Sequence, residues 1–304
     1  MNRIALLIAV LTLTATAAFA AEGSFEKTLA VSGAPSLSVA TGSGYMHVYS
    51  GSGSQVHVIG RVHVRAGLFG GAGDAEAKVK QIVADPPIRQ FGNTITIGTE
   101  HGESSLFHNV SIDYEITAPS GTTLKAESGS GDLEIGGIQG AVTAETGSGG
   151  MHVENIGANA RLETGSGSIH ATNVHGAATL QTGSGNLELE LSGAGDVKAQ
   201  TGSGSIRISG INGGLRAEAG SGNIEVAGNP TAEWRLESGS GSVSASVGSA
   251  AKFSLNAETG SGSIHVEQPL LSQETRNRQH VVGTVNGGGP TLRATTGSGN
   301  ITIR

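Results

Sequence analysis

Two histidines and two glutamates recur at a spacing that could place them in one row. They follow at intervals of 18 residues, each three positions past a Gly-Ser-Gly tripeptide: Glu134, His152, His170 and Glu188. Imidazole and carboxylate groups are ligands that Zn²⁺ and Cu²⁺ accept. If successive repeats stack in register, these residues are the candidate metal ligands. The alternative is a surface column of mixed charge, because a flat row does not converge on a point as a tetrahedral site must.

A second candidate site is aromatic and lies earlier in the chain. Tyr45, His47 and Tyr49 alternate along one short apolar-polar segment, so their side chains should share one face of a strand. Tyrosine is common in contact surfaces because one end is apolar and the other polar. We interpret the three residues as a candidate contact patch, with packing of the rings on a neighbouring strand as the alternative.

The chain has few residues that could carry out a reaction. It has no Cys, which excludes thiol catalysis, and its abundant Ser residues sit in Gly-rich turns. Carbohydrate-active β-helix enzymes use paired carboxylates, but no two Asp residues pair in the aligned repeats. Only one turn is followed by Asp, so the oxygen-rich cation ladder of a calcium β-roll is not expected. We predict a protein that is not an enzyme and holds no cofactor.

The elements that would position these residues are set by the repeat. From residue 129 onward, Gly-Ser-Gly begins at nine positions spaced mostly 18 or 19 residues apart: Gly129, Gly147, Gly165, Gly183, Gly202, Gly220, Gly239, Gly260 and Gly297. Alternating apolar and polar residues flank each turn, as in half-buried strands. A fixed period of this length is typical of stacked supersecondary units. We predict an all-β, parallel β-solenoid (β-helix-like) of about 18–19-residue coils; the rival is an antiparallel meander.

Outward positions also fall into columns. A mostly basic column runs from Lys125 to Arg293, and a mostly acidic column two residues further on runs from Glu127 to Thr295. Adjacent columns of opposite charge should form surface ion pairs, each worth at most about 1 kcal/mol. We interpret them as devices for register and solubility rather than as a ligand site.

The two ends of the repeat array are less regular. Residues 21–120 should form an N-terminal β-rich cap with opening coils and one short helix from Asp74 to Val83, and residues 121–304 the repeat solenoid. A polar loop is expected to interrupt the array at 267–290. The last strand, from Ile301, is either covered by another part of the chain or free for edge-mediated self-association.

The N-terminus predicts export. Arg3, an apolar run from Ile4 to Leu13 and the end Ala18-Phe19-Ala20 have the pattern of a secretory signal peptide at residues 1–20. The apolar run is shorter than the roughly 20 residues of a membrane-spanning helix, and we predict no transmembrane segment. A net charge of −7 argues against nucleic acid as a partner. The expected location is exported, either periplasmic or secreted.

The repeats resemble the DUF4097 family of β-strand-repeat proteins, often described as candidate adhesins. The resemblance rests on repeated Thr-Gly-Ser-Gly-x-(Ile/Leu), on the lead-in Ile112 to Gly121, and on the close from Val282-Gly283-Thr284 to Ile301. It implies an exported β-solenoid-like domain.

The leading functional hypothesis is a non-catalytic, exported β-solenoid that serves as a structural or adhesin-like interaction surface in the cell envelope. Its partner would be a cell-surface polymer or protein. The alternatives are a ligand- or metal-binding sensing module that uses the outward His/Glu column, and third a carbohydrate-active β-helix enzyme.

Overall fold

The computed structural model describes residues 19–65, 72–98 and 105–304. Apart from the backbone of its last two residues, the predicted signal peptide lies outside them. The described chain forms one helix, α1 (Ala72–Ala84), a short 3₁₀ turn (Ser105–Phe107) and the following strands: β1 (Phe19–Ala30), β2 (Ser36–Thr41), β3 (Met46–Gly51), β4 (Gln55–Arg65), β5 (Ile88–Phe91), β6 (Thr94–Gly98), β7 (Val110–Pro119), β8 (Thr123–Ser128), β9 (Leu133–Gly136), β10 (Val142–Thr146), β11 (Met151–Ile156), β12 (Ala160–Thr164), β13 (Ile169–Val174), β14 (Ala178–Thr182), β15 (Leu187–Leu191), β16 (Val197–Ser203), β17 (Ile206–Ser221), β18 (Ile224–Ser240), β19 (Val243–Val247), β20 (Phe253–Ser261), β21 (Ile264–Val266), β22 (Leu270–Asn277), β23 (His280–Val285), β24 (Thr291–Ser298) and β25 (Ile301–Ile303).

Each repeat is one coil with a strand on either side of its Gly-Ser-Gly turn. Strands before the turns pair in parallel and form one surface, face A, in the order β8, β10, β12, β14 and β16, continued by the second halves of β17 and β18. Strands after the turns form face B in the same way, from β9 through β11, β13 and β15 to β17. The parallel β-solenoid is therefore confirmed, and the antiparallel meander is wrong for the repeats.

The order of coils in space differs from their order in the chain at both ends. Strand β2 lies between β6 and β8, and β3 between β7 and β9. Strand β24 lies between β18 and β20, and β25 between β19 and β21. The last strand, β25, is thus hydrogen-bonded on both sides, by β19 and by β21. Of the two arrangements that the sequence left open, other parts of the chain cover this strand, and it is not a free edge.

Antiparallel strands and the helix close the two ends of the stack. At one end β4 joins β1 to β7, and β5 pairs with β6. Helix α1 packs so closely on β1 that a Cβ atom on Gly23 would lie 2.5 Å from Val79 Cγ1. At the other end β22 and β23 pair with each other, and β23 pairs with β20. The segment predicted as a loop at 267–290 instead contains an antiparallel hairpin of β22 and β23, and β23 pairs with β20 at the end of the stack.

The core is a set of inward columns that run through the coils. The two columns after the turns are buried from Leu133 and Ile135 to Ile301 and Ile303, except that Ile264 and Val266 near the covered end are only partly buried. The column before the turns is rich in Ala, which keeps the two faces close together.

Buried hydroxyl groups connect the coils at the turns. Thr164 Oγ1 donates a hydrogen bond to the carbonyl of Gly149 in the preceding coil (2.9 Å) and accepts one from the amide of Gly167 (3.0 Å). Thr146 and Thr182 make the same bond to the preceding coil. A buried hydroxyl without such partners would be costly, so the Thr that precedes Gly-Ser-Gly has a structural role.

Candidate functional site

The four predicted metal ligands lie in one outward row on face B. His152 pairs in register with Glu134 on one side and with His170 on the other, and His170 pairs with Glu188. The two imidazole rings are stacked, with centroids 5.1 Å apart and planes 11° from parallel. His170 Nδ1 lies 3.0 Å from Glu188 Oε2. The structure therefore brings all four residues together as neighbours.

The geometry of this row is that of pairs rather than of a convergent set. Among the side chains that the structure describes, no three His, Asp or Glu groups surround a common point. Stacked rings hold their nitrogens in parallel planes, so a shared tetrahedral ion would require the rings to turn towards each other. Metal binding by Glu134, His152, His170 and Glu188 stays a prediction.

The aromatic patch extends this row, which is a relation that local sequence did not reveal. Because β3 lies beside β9, His47 pairs in register with Glu134, and its Nε2 is 3.2 Å from Glu134 Oε2. The rings of Tyr45 and His47 are 4.5 Å apart. Tyr49 donates a hydrogen bond to Glu134 Oε1 (2.5 Å), and its ring lies over Gly136. The two candidate sites are therefore one continuous surface.

An ion pair between Arg61 and Glu115 lies beside Tyr45, on the other side of the aromatic patch. Arg61 Nη1 is 2.6 Å from Glu115 Oε1 and also donates to the Tyr45 hydroxyl. The hydrogen bond from Arg61 and its positive charge hold the pKa of Glu115 below its usual range. His47 pairs in register with Glu115 as well as with Glu134. The patch is thus a hydrogen-bonded network in which each ring already has a polar partner.

We expect the tyrosines of this protein to resist ionisation. Burial and then the hydrogen bond to Glu134 raise the pKa of Tyr49 to about 12 from 10.0, and burial raises the pKa of Tyr45 and Tyr114. These are the three Tyr residues of the chain. A pKa raised by folding stabilises the protein fully below pH 10 and less as the pH rises through 12.

The measurement is a spectrophotometric titration of tyrosinate in the folded and the guanidinium-unfolded protein. The folded protein should titrate at higher pH than the unfolded one, and unfolding should become easier above pH 10. Coincident titration curves would contradict the assigned contacts.

A groove of about 1570 Å³ runs along face A beside the turns. Its lining comes from nine successive coils, from Ala40 and Thr41 at one end to Thr295 at the other. At a strand spacing of ~4.8 Å the groove is roughly 40 Å long. Two columns line it: the buried Thr and Ser hydroxyls before the turns, and the outward Glu and Gln side chains two residues after the basic column. Sequence periodicity revealed both columns but not the concave surface between them.

Four of the five carboxylates that line the groove have basic partners within their own strands. Each pair joins residues two positions apart: Lys125 with Glu127, Arg161 with Glu163, Arg216 with Glu218 and Arg235 with Glu237. The predicted surface ion pairs are therefore present along strands. Burial favours a higher pKa for Glu218, but hydrogen bonds from Gln200 and Arg216 outweigh it and lower that pKa below its usual value.

Amide groups occupy the middle of the groove. Gln181 Nε2 donates to Gln200 Oε1 (2.7 Å), and Gln200 Nε2 donates to Glu218 Oε2 (2.5 Å). This chain of hydrogen bonds runs along the groove from coil to coil and orients the side chains. Each amide group has further donor and acceptor capacity beyond these two hydrogen bonds.

These features define a class of protein: a capped parallel β-solenoid that displays polar side chains in long registered columns. A family model described as Toastrack DUF4097 matches residues 72–304. The chain belongs to this family, as its repeats suggested.

Among solved structures, three similar proteins are all described as candidate adhesins or cell adhesion proteins. One from Bacteroides fragilis NCTC 9343 is 13% identical, with 93% of this chain and 97% of that chain covered and a TM-score of 0.40. One from Parabacteroides distasonis ATCC 8503 is 12% identical, with coverage of 93% and 97% and a TM-score of 0.36. One from Clostridium sporogenes ATCC 15579 is 12% identical, with coverage of 92% and 99% and a TM-score of 0.20.

Similarity of this size does not define a shared function. No curated protein matches the sequence. In the described part of the chain, no helix has the length and apolar character needed to cross a membrane.

Proposed function

We propose that the protein is a non-catalytic, exported β-solenoid that serves as a structural or adhesin-like interaction surface in the cell envelope, periplasmic or secreted. The observation that carries this proposal is the groove on face A, whose lining repeats from coil to coil over nine coils. A surface of this length suits a polymer or an extended partner better than a small substrate, whose sites usually enclose the ligand.

The arrangement of carboxylates supports a role without catalysis. Four of the five Glu residues of the groove are partnered by Lys or Arg of the same strand, as in Lys125–Glu127 (2.5 Å) and Arg235–Glu237 (2.7 Å). A glycoside hydrolase instead needs one carboxyl group with a raised pKa opposite a second carboxylate. Ion pairing of this kind favours ionised, solvated side chains, which is what a binding surface requires.

The test of this proposal is binding of the mature protein, residues 21–304, to intact cells and to isolated envelope fractions. Saturable binding that survives chelation of metal ions is the expected result. A protein that binds neither cells nor envelope material, with or without Zn²⁺, would refute the interaction role.

A second candidate function is metal binding by the row on face B. The observation in its favour is the register that makes His152 and His170 neighbours, with His170 Nδ1 3.0 Å from Glu188 Oε2. If the row binds Zn²⁺, replacing both His152 and His170 by Ala should abolish tight uptake in calorimetry. His265→Ala is the matched control, because this exposed residue also lies on face B but several coils away. Uptake that is unchanged in the double variant would eliminate the site.

A further inference from the structure

We infer that the groove on face A binds a segment of an extended, neutral, β-1,4-linked polysaccharide. This inference rests on the proposed function and deepens it, because it names the surface and the chemical class of its partner. Four features of the groove support it: its length, its charge balance, the direction of its backbone hydrogen bonds and the amide groups at its centre.

The length and openness of the groove indicate a linear polymer. A volume of about 1570 Å³ exceeds the roughly 300–1,000 Å³ of sites for small molecules. The same residue types line it in nearly every coil, so a ligand that fits one coil fits the next. A β-1,4-linked chain is an extended ribbon whose sugars follow one another at close to the strand spacing of about 4.8 Å, with alternate sugars turned over. Successive sugars can therefore meet successive coils.

The charges of the groove favour a neutral partner. Five glutamates line it, and four of them have a Lys or Arg partner in the same strand: Glu127, Glu163, Glu218 and Glu237. The fifth, Glu145, lies one coil from Glu127 and has Thr143 at the position of the basic partner. A polyanion would meet the carboxylates, and a polycation would have to displace the partners already present. Hydroxyl groups, in contrast, can donate to carboxylates and accept from guanidinium groups without a net charge.

The backbone of face A excludes a peptide added as a strand. Peptide recognition by strand addition needs an edge with free N–H and C=O groups. The strands here cross the groove, and their backbone groups are used between neighbouring coils, as in the parallel pairing of β12 with β14 and of β14 with β16. Contacts in the groove must come from side chains, which is how proteins recognise sugar hydroxyl groups.

The centre of the groove is the best place for recognition of neutral polar groups. Gln181 and Gln200 stand in adjacent coils and are joined by a hydrogen bond of 2.7 Å. The bond from Gln200 to Glu218 orients this pair, so less side-chain entropy is lost when a ligand binds. The amide groups offer both a donor and an acceptor to each sugar.

The experiment compares two double variants of the same two coils, one altered on face A and the other on face B. Gln181→Ala with Gln200→Ala removes the amide groups at the centre of the groove, whereas Glu190→Ala with Ser209→Ala removes polar groups on face B of the same two coils, where these residues pair in register. All four side chains lie at outward strand positions, so their removal should leave the core intact, and circular dichroism verifies that both variants fold. The probes are length series of cello- and chito-oligosaccharides, with polylysine and polyglutamate as charged polymers, measured by calorimetry at low and high salt.

We expect affinity to increase with oligosaccharide length and to change little with salt, since neutral ligands release no counterions. The groove variant should bind about tenfold more weakly or not at all, which is a loss of at least about 1.4 kcal/mol, and the face B variant should bind like the unaltered protein. The inference is overturned if no member of either series binds, if only a charged polymer binds, or if both variants bind the oligosaccharides equally.

Binding to intact cells separates this inference from the function on which it rests. If the groove variant still binds cells as well as the unaltered protein does, the groove is not the contact surface, and the interaction role survives. If the unaltered protein binds no cells and no envelope material, the interaction role itself fails.

Discussion

Replacing Gly167 by Ala is expected to destabilise the solenoid by about 3–5 kcal/mol, at the upper end of what single substitutions do. A Cβ atom at this position would lie 1.8 Å from the carbonyl oxygen of Gly149 and 2.5 Å from its carbonyl carbon. Both are backbone atoms of the neighbouring coil, so no side-chain rotation can relieve the overlap. The coils would have to separate at the turn, where Thr164 bonds to the same carbonyl.

A control is available at the first glycine of the earliest Gly-Ser-Gly tripeptide in the chain. Gly42 begins a Gly-Ser-Gly turn, but no atom lies within 4 Å of a Cβ built there. Gly42→Ala should change the free energy of unfolding by about 0.5 kcal/mol or less. Thermal and guanidinium unfolding followed by circular dichroism compare the two variants. Equal unfolding midpoints would show that contact between coils is not the reason for glycine in the turns.

Removing the side chain of Trp234 should cost about 3–5 kcal/mol when it is replaced by Ala. This residue is the single Trp of the chain and is fully buried. It pairs in register with Leu215 and Leu292, and its Nε1 donates a hydrogen bond to the carbonyl of Gly213 (3.0 Å). The variant would leave a large cavity in a thin core and an unsatisfied carbonyl.

Trp234→Phe separates the two contributions, because it keeps most of the volume and loses the hydrogen bond. We expect Trp234→Phe to lower the free energy of unfolding by less than Trp234→Ala does. The difference should be about the energetic cost of the cavity that the Ala variant leaves. Guanidinium unfolding followed by circular dichroism measures both variants. The native protein should also emit at short wavelength in tryptophan fluorescence. Emission at the wavelength of exposed tryptophan, or an unchanged midpoint for the Ala variant, would contradict the position of this side chain.

The columns of the solenoid could be predicted from sequence because the rules behind them are local. Alternation with a period of two residues decides which side of a strand faces inward, and the fixed length of a coil brings equivalent residues into register. Residues such as Leu133 and Ile206 are buried as expected, and His152 and His170 are neighbours as expected. Ile264 departs from this pattern because its coil stands near the end of the stack, where fewer neighbours cover it.

The order of the coils could not be predicted in the same way. All coils offer nearly the same strand edges, so nothing local says that β2 and β3 enter between β6–β7 and β8–β9, or that the last coil enters between two earlier ones. This order alone brings His47 beside Glu134 and joins the aromatic patch to the row of His152 and His170. It also pairs both edges of strand β25, whose surroundings the sequence left open.

For the candidate binding surfaces too, the sequence determined which residues are present, and the tertiary structure decided how they are arranged. Residue type and period determined the column of glutamates and glutamines, the hydroxyl groups before the turns and the glycines between them. The stacking of the folded coils decided that these columns line one open groove, and side-chain geometry decided that most of its carboxylates pair with Lys or Arg of their own strands. Periodicity specifies which residues share a face. The concavity depends on distances across many coils, and the charge pairing depends on side-chain geometry within each strand, and only the folded chain sets both.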